Sequence, residues 1–226
     1  MGLLLFLFGG CSLIIAINSA NAMSKRGHWQ AEKLSPVKQA EYLNTVEKEI
    51  ILHLNMARTD PEQYAKKYIA PRTRYFAGNI YHDPENPYYK KGYRTNEGIL
   101  AVQECVNVMQ NAQPASVLYP SKNVSYVAQT HALYLSSTGR IGHRGPDGSK
   151  PGTRIRRYGR WKITAENIAY GFKSASEIVA SLLVDDGVRN RKHRSIILDP
   201  QFSIVGVAIK PHPIHRYVCV INFAGG

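Results

Sequence analysis

Between residues 37 and 68 apolar side chains return at steps of three and four. Leu43, Val46, Ile50, Leu54 and Ala57 form one stripe, which predicts a helix. Thr59-Asp60-Pro61-Glu62 interrupts it. That order ends one helix and opens the next, because Asp accepts from orphan N–H groups and Pro suits a first helical position. The pattern predicts further helices over 97–109 and over about 123–137, the latter with Val124, Val127, Ala128, His131 and Leu135 on one face. Ser174-Ala175-Ser176-Glu177 has the form of a capping box ahead of Ile178, Val179, Leu182 and Leu183. The rhythm then changes: Ile204–Ile209 and Tyr217–Ala224 are continuous apolar runs, as in strands covered on both faces. Helices around a fully covered sheet predict an α/β protein, a three-layer α/β/α sandwich.

Two stretches do not fit that rhythm. Residues 71–98 hold Pro71, Gly78, Pro84, Pro87, Gly92 and Gly98, with five Tyr from Tyr75 to Tyr93, and read as a long irregular insertion. Its tyrosines either line a ligand groove or pack the loop onto the core. At the other stretch, Leu3 to Ile17 is apolar and uncharged, and Ala20-Asn21-Ala22 has the small-x-small form of a signal-peptidase site. The expected organisation is a signal peptide over 1–22, with an N-terminal anchor as the alternative. A linker over 23–36 and a single domain over 37–226, carrying the 71–98 insertion, follow. No Lys or Arg precedes the apolar run, and Phe8-Gly9-Gly10-Cys11 loosely has the form of a lipoprotein box, but the run continues beyond that Cys.

With 226 residues and 44% apolar composition the chain can build a sizeable core. Its net charge is +13, and Arg154–Lys162 and Arg189–Arg194 are dense basic clusters. They suit anionic envelope polymers or lipid headgroups, or form a solvated basic exterior. No RNP, KH or helix-turn-helix pattern accompanies them, so nucleic acid is not an expected partner. Downstream of Ala22 only Cys105 and Cys219 remain. An exported compartment permits a bridge between them, whereas the apolar surroundings of Cys219 favour a buried free thiol. G-x-S-x-G, H-E-x-x-H, P-loop and G-x-G-x-x-G patterns are absent, and no nucleotide cofactor is expected.

Three segments add a more specific signal: Thr164-Ala165-Glu166-Asn167-Ile168-Ala169-Tyr170-Gly171, Leu182 to Val188, and His193 to Ile209. With Glu49–Ala65 they resemble the CAP superfamily of cysteine-rich secretory, antigen 5 and pathogenesis-related proteins, in its bacterial SCP-domain branch. The resemblance spans about 49–224 and is most specific over 142–224. It implies the CAP/SCP fold and a cleft built from His143, Glu166 and His193. The family's fourth cleft residue is a second Glu on the helix before the last His. Here that region reads Val184-Asp185-Asp186-Gly187, so Asp185 or Asp186 stands in, and Asp186 is the candidate fourth ligand. Having so few cysteines departs from the family's eukaryotic members.

Two neutral imidazoles and one carboxylate suit Zn²⁺ or another divalent metal and leave a position for water. Without metal, Glu166 would hold a His by hydrogen bond and raise its pKa, giving an acid/base pair. The plainer alternatives are a buried Glu166-Asn167 hydrogen-bonding device and purely structural histidines. By helical phase, His131 reads as a core histidine. The expected function is an exported, non-enzymatic binding module with a metal-capable cleft, monomeric, holding a lipid, glycan or protein at a cell surface. The alternative is a peptidase-like, metal-dependent hydrolase with Glu166, His143 and His193 as its catalytic residues. A third reading makes the 71–98 loop a host-directed contact surface.

Overall fold

The computed structural model describes Trp29 and residues 37–86 and 90–226. The apolar segment, the cleavage motif, the linker other than Trp29, and Tyr88 and Tyr89 lie outside the described residues. Helix α1 spans Thr45–Thr59, starting later than the apolar stripe suggests, because Asn44 and Glu47 form a reciprocal capping box there. Asp60 ends α1 and caps α2 (Pro61–Tyr64), accepting from Gln63 N at 3.0 Å. A π turn over Ala65–Ile69 and a 3₁₀ turn over Ala70–Tyr75 lead into the insertion.

The insertion is not irregular throughout. Phe76–Ala77 (β1), Ile80–Tyr81 (β2) and Tyr93–Arg94 (β3) form a small antiparallel sheet, with Phe76 opposite Tyr81 and Ile80 opposite Arg94. Strands of two residues show no period-2 alternation, which is why the pattern missed them. Helix α3 (Ile99–Gln110) and strand β4 (Tyr119–Pro120) follow. Helix α4 (Lys122–Thr138) is capped by Ser121 and stopped by Gly139 in the left-handed conformation, φ 68°. Then come α5 (Pro151–Arg156), β5 (Ile163–Tyr170), α6 (Ala175–Val184), α7 (Lys192–Leu198), β6 (Ile204–His212) and β7 (Arg216–Gly225).

The main sheet has the order β4-β6-β7-β5, with β4 parallel to β6 and the other pairs antiparallel. Alternation along β7 sorts the core: Cys219, Ile221 and Phe223 join Ile50, Leu54, Ile178 and Val179 on one face. Val218 and Val220 join Ala128, Ala132 and Leu135 on the other. This is the expected α/β/α sandwich. Helix α4 lies very close to the sheet: a Cβ at Gly206 would fall 2.2 Å from the backbone of Val124 and Ser125. Only glycine fits there.

Buried polar side chains fix the surrounding pieces. Arg58, fully buried on α1, donates to the carbonyls of Ser116, Ile197, Asp199 and Phe202 at 2.7–2.8 Å. Asn55 pairs with both backbone groups of Leu118. Together they tie α1 to α7 and to the chain entering β4. Desolvation pulls the Arg58 pKa down to about 10. The capping box predicted for α6 is only half made. Ser174 Oγ accepts from Glu177 N at 3.3 Å, but the Glu177 carboxylate turns inward to Arg72 (2.7 Å) and the Tyr81 hydroxyl (3.1 Å). Cys105 and Cys219 are both free and buried, and burial pushes the Cys105 thiol up to about 11.

Candidate functional site

Helices α5 and α7 stand on either side of β5 and leave an open cleft of about 710 Å³ lined by His143, Glu166 and His193. The loop after α4 delivers His143, whose Nδ1 lies 2.9 Å from Glu166 Oε1. The Glu166 side chain is wholly buried, while that of His143 is 48% exposed. From α5, Arg154 Nη2 donates to Glu166 Oε2 at 2.9 Å, and its Nη1 donates to the carbonyls of His143 and Ser149. One guanidinium thus fixes both the carboxylate and the loop that presents the imidazole. From β7, Asn222 completes the set, in the amide orientation that lets its nitrogen donate to Glu166 Oε2 (3.0 Å) and its oxygen accept from Ala128 N (3.1 Å).

His131 supports this wall from behind. It is buried on α4, its Nε2 is 3.0 Å from Gly142 O, and desolvation lowers its pKa. It is a core histidine holding the loop, as its helical phase indicated. Gly142 N donates to the Tyr170 hydroxyl at 2.9 Å, which fixes the same loop from β5.

The opposite wall is built differently. His193 lies in the first turn of α7, with Nδ1 2.6 Å from Asp185 Oδ1 and its own N–H donating to Asp185 Oδ2 at 2.9 Å. Asn167 Nδ2 donates to His193 O at 3.1 Å. Asp185 is the left-handed C-cap of α6, φ 55°, a conformation Asp tolerates better than most residues. The chain leaves the helix at this point, which brings the short carboxylate to the imidazole without the extra methylene of a Glu. Asp186, the candidate fourth ligand, points elsewhere: it accepts from Asn96 N (2.6 Å) and Glu97 N (2.7 Å) and anchors the approach to α3.

The two imidazoles are therefore held alike. Each Nδ1 faces a buried carboxylate, and a carboxylate only accepts, so the ring proton sits on Nδ1 and the Nε2 lone pair is available. Neither Nε2 has a protein partner among the described residues. That geometry suits metal-binding histidines. Glu166, by contrast, is buried with both oxygens engaged. Among the described residues no group of three His, Cys, Asp or Glu side chains is arranged to hold a metal ion. The structure thus brings His143, Glu166 and His193 to one cleft, with Glu166 behind His143 rather than beside it.

Arg154 and Asn222 were not foreseen. Arg154 belongs to a basic cluster expected at the surface, yet it is only 8% exposed. Beyond His193 lies a second cavity of about 330 Å³, reached by Phe76, Tyr81, Tyr93 and Phe172. Tyr81 packs against the core and Tyr93 donates to Gly171 O, so insertion tyrosines both pack and line a cavity.

An α/β/α sandwich with a His–carboxylate cleft defines the class of protein. The chain belongs to the CAP family, described as the cysteine-rich secretory protein family, whose model matches residues 93–223. No curated protein matches it. Among solved structures it is similar to an outer surface protein from Borrelia burgdorferi, at 20% identity and TM-score 0.42, covering 56% of this chain and 90% of that one. An extracellular protein containing a SCP domain from Bacillus anthracis is 23% identical with TM-score 0.38, over 50% of this chain and 35% of that one. A cysteine-rich secretory protein from Staphylococcus aureus is 17% identical with TM-score 0.35, over 57% and 38%. This chain spans little more than a third of the latter two. No described helix is long and apolar enough to cross a membrane.

Proposed function

We propose that this chain is an exported CAP-domain binding module acting at the cell envelope or outside the cell. Its cleft captures ligand through two carboxylate-oriented imidazoles that suit Zn²⁺ or another divalent cation. The observation that carries this reading is the matched treatment of His143 and His193, each held at Nδ1 by a buried carboxylate on opposite walls of one cleft. Bound there, the metal would supply Lewis acidity and a site for a ligand's oxygen. Binding is favoured over hydrolysis because Glu166 is buried against Arg154 and is not placed to take a proton from water in the cleft. Cys105 and Cys219, the cysteines among the described residues, are buried as well, so neither offers the cleft a thiol nucleophile. Export rests on the apolar segment and small-x-small motif of the first 22 residues.

Calorimetric titration of the purified protein with zinc chloride tests the site. Wild type is expected to take up zinc, while His143→Ala and His193→Ala each lose it. Wild-type affinity in both variants would sink the proposal. Turnover of peptides or peptidoglycan fragments that disappears in Glu166→Gln would establish the hydrolase instead.

A further inference from the structure

Among the described residues, strand β5 is the last strand of the main sheet and pairs only with β7. The register sets which of its backbone groups are left over. Gly171 N donates to Tyr217 O at 3.0 Å, continuing the pairing that runs from Ile163 opposite Gly225 to Tyr170 opposite Val218. In an antiparallel ladder alternate residues exchange bonds, so the odd-numbered residues of β5 face β7. Thr164, Glu166, Ile168 and Tyr170 turn their N–H and C=O groups toward the outer edge. Among the described residues no hydrogen bond reaches the main chain of 163–166 from that side.

That edge forms the floor of the cleft. Glu166 is 7% exposed as a residue while its side chain is 0% exposed, so all its remaining exposure is main chain. Ile163, Thr164 and Ala165 are half-buried and line the same cleft. On the α5 wall Gly152 carries no side chain, where a Cβ would come within 3.0 Å of Thr164 Oγ1. Farther along, Asn167, Ile168 and Ala169 are buried and the Asn167 side chain is tied to His193 O, which closes the edge. Exposed edges are ordinarily blunted or covered. This one is left open for a short stretch at the base of a groove.

We propose that the cleft is a strand-addition site, in which an extended peptide rich in acidic side chains pairs with the outer edge of β5 at Thr164 and Glu166. Main-chain bonds would give affinity, and alternate side chains would point toward the His143 and His193 walls. The acidic preference follows from the lining: Lys150, Arg156 and Lys192 stand against Asp199 and against a Glu166 already paired with Arg154. The proposal rests on the binding reading of this cleft, but it uses backbone groups, so the two fail separately.

The probe is a capped, fluorescein-labelled heptapeptide of alternating Glu and Val, followed by anisotropy and by amide hydrogen exchange. Two further copies carry N-methyl groups on one or the other alternate set of amides. Methylation of the set facing β5 is expected to weaken binding about tenfold or more, and methylation of the other set to leave it nearly unchanged. Bound peptide should slow exchange at the amides of Thr164 and Glu166. Thr164→Pro removes an outward N–H while leaving the β7 ladder intact, and should lower affinity by a similar factor. Gly152→Val narrows the groove from the α5 wall, its side chain pressing on Thr164 Oγ1 above the open edge, and should do the same. Equal binding of the two methylated peptides, no binding of the parent peptide at millimolar concentration, or capture of polygalacturonate in its place would each overturn strand addition. So would dimerisation that protects this edge. Peptide binding by a wild-type protein that takes up no zinc would reject the metal reading alone, and zinc uptake without peptide binding would reject strand addition alone.

Discussion

Glu166 and Glu177 are both buried glutamates paired with arginines, Glu166 with Arg154 at 2.9 Å and Glu177 with Arg72 at 2.7 Å. The third partner separates them. Glu166 also holds His143, whose ring reaches solvent, whereas Glu177 accepts from Tyr81, which is 2% exposed. Arg72 in turn lies over the Tyr81 ring, 4.3 Å from its centroid. The Glu177 cluster is closed and fastens the insertion to α6. The Glu166 cluster ends on an imidazole in a cleft. A buried carboxylate–guanidinium pair therefore does not mark a site by itself. What it presents to solvent does.

The largest expected effect comes from removing each guanidinium. Arg154→Met leaves the buried Glu166 carboxylate without its cation and frees the carbonyls of His143 and Ser149, and should cost about 3–5 kcal/mol in urea unfolding. Arg72→Met should cost less, about 2–3 kcal/mol, because each carboxylate keeps a neutral donor but Arg154 additionally holds two loop carbonyls. Burial already raises the Glu177 pKa, so that carboxyl takes up a proton more readily when its cation is lost. An Arg72→Met cost larger than that of Arg154→Met would break the distinction.

The pH response sharpens it. His53 packs edge-on against Tyr64 and Tyr68 beneath the insertion, and desolvation pulls its pKa down to about 4. The unfolded chain binds that proton more tightly, so stability is lost as pH falls from about 6.5 toward 4, by on the order of 2–3 kcal/mol. His53→Phe should remove that loss. Glu177 acts in the opposite sense. Its raised pKa contributes stability in acid that is lost as pH rises through the folded value. The difference between wild type and Glu177→Gln, followed by denaturant titration across pH 4–7, should therefore shift against wild type as pH rises. A difference that does not change with pH would mean that Glu177 is not proton-linked.

The long amphipathic helices and the paired C-terminal strands were legible because each buries a face wide enough to set a period. Strand β5 was not. Its Thr164, Glu166 and Asn167 interrupt the apolar pattern, since one face serves the cleft and the other ties down α7. The insertion's strands and α5 are too short to show a rhythm. His143, Glu166 and His193 were found through their resemblance to family motifs. Arg154 was hidden among surface-like basic neighbours, and nothing local distinguishes a buried guanidinium in such a run. The choice between Asp185 and Asp186 depended on the backbone leaving α6 at φ 55°, which composition does not encode.

That adjacent pair gives the smallest and cleanest test, because one carboxylate serves the cleft and its neighbour the scaffold. Asp186 accepts two backbone N–H groups before α3, so Asp186→Ala should cost about 1 kcal/mol of stability and leave zinc affinity unchanged. Asp185 fixes the tautomer and orientation of His193, so Asp185→Asn should weaken zinc about 10–100-fold. Asn tolerates the left-handed conformation and keeps an acceptor for the His193 N–H, so the fold should be little affected. Calorimetry with zinc beside thermal unfolding reads both quantities on the same samples. A loss of zinc affinity in Asp186→Ala, with Asp185→Asn binding as wild type, would exchange the two roles and remove the matched carboxylate support on which the cleft's symmetry depends.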